Sequence, residues 1–311
     1  MGYAALSYVL LYLNRFAECR KAIQDAFDRK LDDEFLHQVS YELAFLAGDE
    51  RGMAEQVAWS EAKESNDFRL LQSSTAGYFG HLREAHALRQ QAIESAKLAG
   101  SQEMVTDWQI RAALLDAAFG KVPGAEQTAS PALAARLKTL NQNAEVNGAL
   151  VLALSGDTAK AESFLEDLRG RFKQDSLVQA VVLPTVQAQI ELDRGDPERS
   201  IELLQTAAPY ELTDKSFEGC MYPAYVRGQA YLAAKQPPRA AAEFQKILDH
   251  RGLVRNCETG PLARLGIARA FALQGDKPKA RAGYQDFLNL WKDADPDIPI
   301  LKRAKAEYAK L

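Results

Sequence analysis

Along most of the chain, apolar residues recur at three- and four-residue steps, the spacing that lines one face of a helix. The block beginning at Leu262 shows it best: Leu262, Leu265, Ala268, Phe271 and Ala272 share a face, Gly275 interrupts the pattern, and Ala280, Tyr284 and Phe287 form a second stripe. Gly adopts the left-handed conformation that ends helices at least cost, and Asp276 with Pro278 supplies a cap and a first-turn proline for the helix that follows. Neither stripe can be buried alone, so the two helices are expected to pack as a hairpin.

The same turn recurs at Asn14, Gly48, Gly80, Gly120, Gly156, Gly195, Lys235 and Gly275, with separations by subtraction of 34, 32, 40, 36, 39, 40 and 40 residues. Eight hairpins follow, over residues 2–29, 34–63, 67–97, 102–128, 132–172, 177–208, 222–250 and 262–291. Thr128-Ala129-Ser130-Pro131 reads as a loop, and residues 209–221 and 251–261 read as longer connections. A last helix over 300–311, with Leu301, Ala304, Tyr308 and Leu311 on one side, is the candidate cap. No stretch carries the alternating β-branched pattern of a strand, so the chain is expected to be all-α.

Composition narrows the classes of function. Of 311 residues, 47% are hydrophobic and 26% charged, ordinary values for a water-soluble protein. A formal charge of −4 and a pI near 5.7 argue against a nucleic-acid scaffold, which would carry a basic stripe. Cys19, Cys220 and Cys257 are an odd number without Cys-x-x-Cys spacing, which indicates neither a disulfide framework nor a zinc site and favours a reducing compartment. The most apolar segment, Tyr3 to Leu13, is too short to span a bilayer and lacks the basic start of a signal peptide. The helical pattern begins almost immediately after Met1, which suggests a fragment of a longer protein.

The small residue Ala268, aromatic Phe271, turn Gly275-Asp276, small Ala280 and aromatic Tyr284 resemble a tetratricopeptide (TPR) unit. The resemblance extends over nearly the whole chain and is strongest across 222–292. It implies one superhelical domain over 1–311: a right-handed α-solenoid of about eight TPR-like hairpins with a C-terminal capping helix at 300–311. In TPR arrays the first helix of each hairpin lines a concave groove where peptides or partner helices dock. The inward offsets pick out Gln38, Glu42, Arg111, Asn143, Asn147, Gln189, Tyr225, Gln229 and Arg269. Amides and guanidinium groups bond a peptide backbone without demanding a sequence, so Asn143, Asn147, Gln189 and Gln229 form the expected central track. The Lys/Asn set by which some TPR domains clamp a C-terminal carboxylate is not reproduced.

The tail from Leu288 to Leu301, followed by Ala304-Lys305-Ala306-Glu307-Tyr308, resembles the end of bacterial TPR regions that follow a serine/threonine protein kinase domain. Similar arrays also follow winged-helix domains in bacterial regulators. The resemblance implies a protein-interaction scaffold, the sensory or substrate-recruiting module of a signalling protein. The alternative is a small-molecule-sensing or self-assembly module of a transcriptional regulator. A protein or peptide partner, with self-association as a further partner class, and a cytoplasmic location go with this reading; a preceding membrane span would make the location periplasmic.

Catalytic and cofactor chemistry find no foothold. Asp293-x-Asp295-x-Asp297 imitates a calcium loop, but Ile298 stands where Gly is needed and Ala304 where the bidentate Glu belongs. Those aspartates are expected to end one helix and cap the next. His37, His81, His86 and His250 have no metal-ligand spacing, and neither a phosphate-cradling Gly-x-x-x-x-Gly-Lys nor a Gly-x-Ser-x-Gly elbow occurs. The chain is therefore expected to hold no metal or cofactor and to catalyse nothing itself.

Overall fold

The structure, a computed structural model, describes residues 2–125, 127, 129, 142–213 and 217–311. It is an all-α solenoid, and no strand occurs among the described residues. The helices are α1 (Gly2–Tyr12), α2 (Phe16–Asp28), α3 (Glu34–Ala47), α4 (Glu50–Glu61), α5 (Asn66–Tyr78), α6 (Leu82–Leu98), α7 (Gln102–Ala118), α8 (Gln142–Leu154) and α9 (Thr158–Arg171). They continue as α10 (Leu183–Asp193), α11 (Pro197–Leu204), α12 (Tyr222–Ala233), α13 (Pro237–Asp249), α14 (Arg251–Val254), α15 (Thr259–Gln274), α16 (Lys277–Leu290) and α17 (Pro299–Tyr308). A π-helical stretch, Val178–Val182, leads into α10. Of the loop expected at Thr128-Ala129-Ser130-Pro131, Ala129 is helical and buried instead, while Thr128, Ser130 and Pro131 lie outside the described residues, as does the start of the fifth hairpin at Ala132.

All eight expected turns are present, and each of the eight residues named from the sequence has a positive φ, between 56° at Lys235 and 83° at Gly120 and Gly195. Each also carries the same long-range cap. The residue after the turn donates its N–H to a carbonyl five residues back, as in Asp49 to Ala44 (2.9 Å), His81 to Ala76 (2.8 Å) and Asp276 to Phe271 (3.0 Å). That bond satisfies a carbonyl the helix itself cannot. Asp49, Asp157, Asp196 and Asp276 then cap the following helix through their side chains.

Packing follows the small-against-large rule. Phe244 of α13 lies between Gly228 of α12 and Gly266 of α15, where an added Cβ would come within 2.6 Å of the ring on either side. A Phe so enclosed stabilises by about 2–3 kcal/mol. The connection after α11 is held by a buried charge cluster. Glu211 accepts from Arg227 (2.8 Å) and Lys246 (2.7 Å), and Glu243 accepts from the same guanidinium (2.5 Å).

The array does not stay open: its C-terminal portion folds back onto the turns of the first four hairpins. At the first turn, Asn14 Nδ2 donates to Asp249 O and Asn14 Oδ1 accepts from Gly252 N–H, both at 2.7 Å. At the second, Arg251 donates to Leu46 O. Trp291, fully buried, donates Nε1–H to Tyr78 O (2.9 Å) and stands edge-on to Phe119. Asp295 N–H donates to Gly80 O (3.0 Å), and Ile300 N–H to Phe119 O (3.3 Å).

The acidic stretch therefore does not cap its own neighbour as expected. The residue preceding α17 is Ile298, without a side-chain cap. Asp295 instead accepts from Arg83 N–H (2.9 Å), capping α6 across the seam where His81 supplies none. Asp297 reaches Lys121 (3.1 Å) and Arg83 (3.2 Å). Gly80 is required twice over, by its φ of 78° and because a Cβ would lie 2.6 Å from that of Ala294.

The seam sets a measurable contrast. At Gly252 an added Cβ would lie 1.7 Å from Leu11 O, a backbone atom, whereas at Gly156 it would meet nothing. Gly252→Ala is expected to destabilise the fold by about 3 kcal/mol or more. Gly156→Ala should cost about 1–2 kcal/mol, from left-handed strain alone. Urea unfolding of both variants checks this, and equal costs would remove the seam from the account.

Candidate functional site

Closing the array leaves a partly open cavity of about 340 Å³, lined by charged and polar groups together with apolar ones. Its walls are the first helices of hairpins two to five, α3, α5, α7 and α8, with Arg89 of α6 and the two connections that precede α12 and α15. Gln38, Glu42, Asp67, Arg111 and Asn147 enter from the helices, and Arg255 and Glu258 from the connection.

Three guanidinium groups and three carboxylates face this space, and most are already engaged. Glu42 accepts from Arg255 Nη1 at 3.0 Å, and Asp107 accepts from Arg111 Nε at 2.8 Å. Arg89 Nε donates to Ser73 Oγ (3.2 Å). Burial pushes the Glu42 carboxyl above its ordinary range against the pull of Arg255. Burial also raises Asp67, with Glu34 adding to it and the Gln38 side chain opposing it. Tyr222 donates to Glu258, and burial with that carboxylate beside it raises the phenol.

Asn147 differs from these groups. Its residue is 3% exposed, it lines the cavity, and its Oδ1 has no hydrogen-bond donor. A buried acceptor left in that state costs about 1–3 kcal/mol. Such an atom is a natural point for a ligand N–H.

The residues named from the sequence are divided by the structure. Arg111 and Asn147 share the cavity with Gln38 and Glu42. Asn143, one turn earlier on α8, is exposed. Gln189 is buried, and its Nε2 donates to Asp193 within α10 (2.9 Å). Tyr225 is buried and its OH accepts from Gln229 Nε2 (3.1 Å); burial raises its phenol. Arg269 is held by Glu307 of α17 through two bonds of 2.9 and 3.1 Å, and Tyr284 donates to the same carboxylate (2.9 Å). The far end of the expected track is thus occupied by the chain's own last helix.

The cysteine reading needs correction. Cys220 and Cys257 form a disulfide with their Cα atoms 5.5 Å apart, and both sulfur-bearing residues line the cavity. An odd number of cysteines concealed a pair plus one free residue. Cys19 is that residue, buried among apolar side chains, its thiol pushed up to about 11 by burial. Cys220, Cys257 and Glu258 place a ligand atom each within 4.8 Å of one another, but the sulfurs are bonded to each other and Glu258 takes the Tyr222 proton donor.

Arg255, Asn256 and Glu258 escaped the sequence reading because 251–261 passes for a spacer. Asn256 Nδ2 in fact donates to Leu71 O (3.1 Å) and Thr75 Oγ1 (3.0 Å) on α5. The available signal was the like placement of Cys220 and Cys257, each just ahead of the first helix of a neighbouring hairpin.

No protein-family model matches the chain, and no curated protein matches it. Among solved structures, the chain is similar to one described as the TPR domain of P58(IPK), at 12% identity over 99% of this chain and 98% of that chain, with a TM-score of 0.28. A score that low leaves the fold to rest on the hairpins themselves. Among the described residues, no helix is long and apolar enough to cross a membrane.

Two outcomes follow from the cavity walls. A raised carboxyl keeps its proton in the folded chain when the unfolded chain has released it. The stability this contributes is full below the ordinary carboxylate range and is lost as pH rises through the raised value. The wild type should therefore lose more stability between about pH 5 and pH 7.5 than Glu42→Gln does, read as urea midpoints. For the disulfide, thiol titration of the denatured, unreduced chain should find Cys19 alone. Replacing both Cys220 and Cys257 by Ser should lower stability by about 2–4 kcal/mol; three titratable thiols would show the bond does not form.

Proposed function

We propose that this chain is a protein-interaction scaffold that takes a peptide segment of its partner at this cavity rather than along the whole length of a groove. The unpartnered Oδ1 of Asn147 carries the reading, in a space where the inner helices of four successive hairpins converge. A peptide N–H would complete that acceptor, and an inserted carboxylate would face Arg111. The cavity's volume of about 340 Å³ also favours a second reading, a free zwitterionic ligand of amino-acid size, which brings the same N–H and carboxylate.

On the tail's resemblance alone, the module belongs to a bacterial signalling protein such as a serine/threonine kinase, where it would recruit a substrate or sense a partner. The full reading frame of the gene tests that placement. No catalytic role is assigned to the chain, and the net negative charge disfavours nucleic acid as the partner.

Calorimetric titration with short peptides selected from a random array tests the site. Asn147→Ala should weaken the selected peptide by about tenfold, the loss of one buried hydrogen bond. Gln189→Ala, away from the cavity, should leave it unchanged. Unaltered affinity in Asn147→Ala would falsify the assignment, and saturable binding of a free amino acid with no peptide binding would select the second reading.

A further inference from the structure

A second cavity, of about 310 Å³, lies on the seam itself, and unlike the first it has no carboxylate in its lining. One wall comes from the ends of α3 and α5, including Phe45, Leu46 and Phe79. The other comes from α13 to α16, including Ile247, Leu248 and Leu290. Apolar side chains line the slot from both walls, with polar groups interspersed. Its lining contains three arginines, Arg251, Arg255 and Arg264, and no aspartate or glutamate.

The arginines are not equivalent. Arg251 donates to Leu46 O and lies over the Phe16 ring, and Arg255 is paired with Glu42. Arg264 of α15 makes no hydrogen bond or ion pair among the described residues, and its Nε is fully buried without an acceptor. The residue is partly exposed, so its terminal nitrogens reach solvent while Nε–H is left buried without an acceptor, a cost that an anion seated against the guanidinium would relieve. The walls exclude a small hydrophilic anion as the best fit, because it would leave the apolar surface wet.

We propose that this slot is a binding site for an amphipathic monocarboxylate, a medium-length alkyl chain with one anionic head, whose carboxylate pairs with Arg264 while the chain lies along Phe45, Phe79 and Leu290. The site shares Arg255 with the first cavity, but Arg264 and the apolar side chains named here are its own, and it does not depend on the function proposed for that cavity. Because its two walls belong to opposite sides of the seam, an occupant stabilises the closed array.

The test uses the whole chain with sodium decanoate below its micelle concentration, compared by calorimetry with decanol, acetate and inorganic phosphate. Decanoate should bind saturably and raise the melting temperature. Decanol should bind about tenfold or more weaker, and acetate and phosphate should not compete at equal concentration. Arg264→Gln should lower decanoate affinity by about tenfold and leave decanol unchanged, with Arg264→Lys between. Absent decanoate binding, or unchanged decanoate affinity in Arg264→Gln, overturns the proposal. Should Arg264→Gln not fold, the wild-type ranking still decides: equal affinity for decanoate and decanol, or phosphate binding that matches decanoate, overturns it.

Discussion

Every helix ends with carbonyls that its own backbone cannot satisfy, and in this chain some of those carbonyls are answered from very far away. Leu46 O takes its donor from a residue 205 positions later, and Tyr78 O from one 213 positions later. The remaining features assemble around these bonds. Turns two, five, six and eight have an aspartate to cap the helix that follows. The first, third and fourth have Arg15, His81 and Lys121 there, and they are turns on which the C-terminal segment docks. At the third turn the exchange is direct, since Asp295 from the C-terminal segment supplies the cap that His81 does not.

That docking creates both cavities. Bringing α12 to α17 against α3 to α7 leaves one cavity whose lining holds both arginines and carboxylates, and a slot whose lining holds arginines without carboxylates. In the first, Glu42 and Arg255 lie on opposite sides of the seam and neutralise one another at a cost in desolvation that only their pairing offsets. In the second, the arginines come from the C-terminal side; Arg255 is met by Glu42 from the other, whereas Arg251 and Arg264 meet no carboxylate in the lining. Closure thus sorts the inner surface into two environments that a uniform groove would not contain.

The hairpins were legible in the sequence because each is a local event: an apolar stripe, a left-handed turn residue and a second stripe. Even Asn14 and Lys235, which are not glycine, could be placed by register alone, and both have positive φ. Closure was not legible, since it depends on pairs such as Trp291 with Tyr78 and Gly252 with Leu11 that no periodicity connects. Half of the candidate site followed the same division. Arg111 and Asn147 were found from their offsets to the turns, whereas Arg255 and Asn256 sit in a connection whose side chains have no repeat to index them. The tail from Leu288 to Leu301, which reads from sequence as a family signature, has a structural use of its own at the seam through Trp291, Asp295 and Ile300. Its pattern can be accounted for by packing before any appeal to a neighbouring domain.

An open solenoid behaves as a one-dimensional stack, in which a unit can be added or removed and only its neighbours notice. The bond from Asn14 to Gly252 rules that out here. A hairpin inserted between them would carry the C-terminal turn past its partner, and one deleted would leave it short. The array has therefore become a closed figure with a fixed number of sides, folding through contacts of high sequence separation and correspondingly slowly. Its lineage can vary the residues inside each hairpin, but the count of hairpins between the two ends is no longer free to drift.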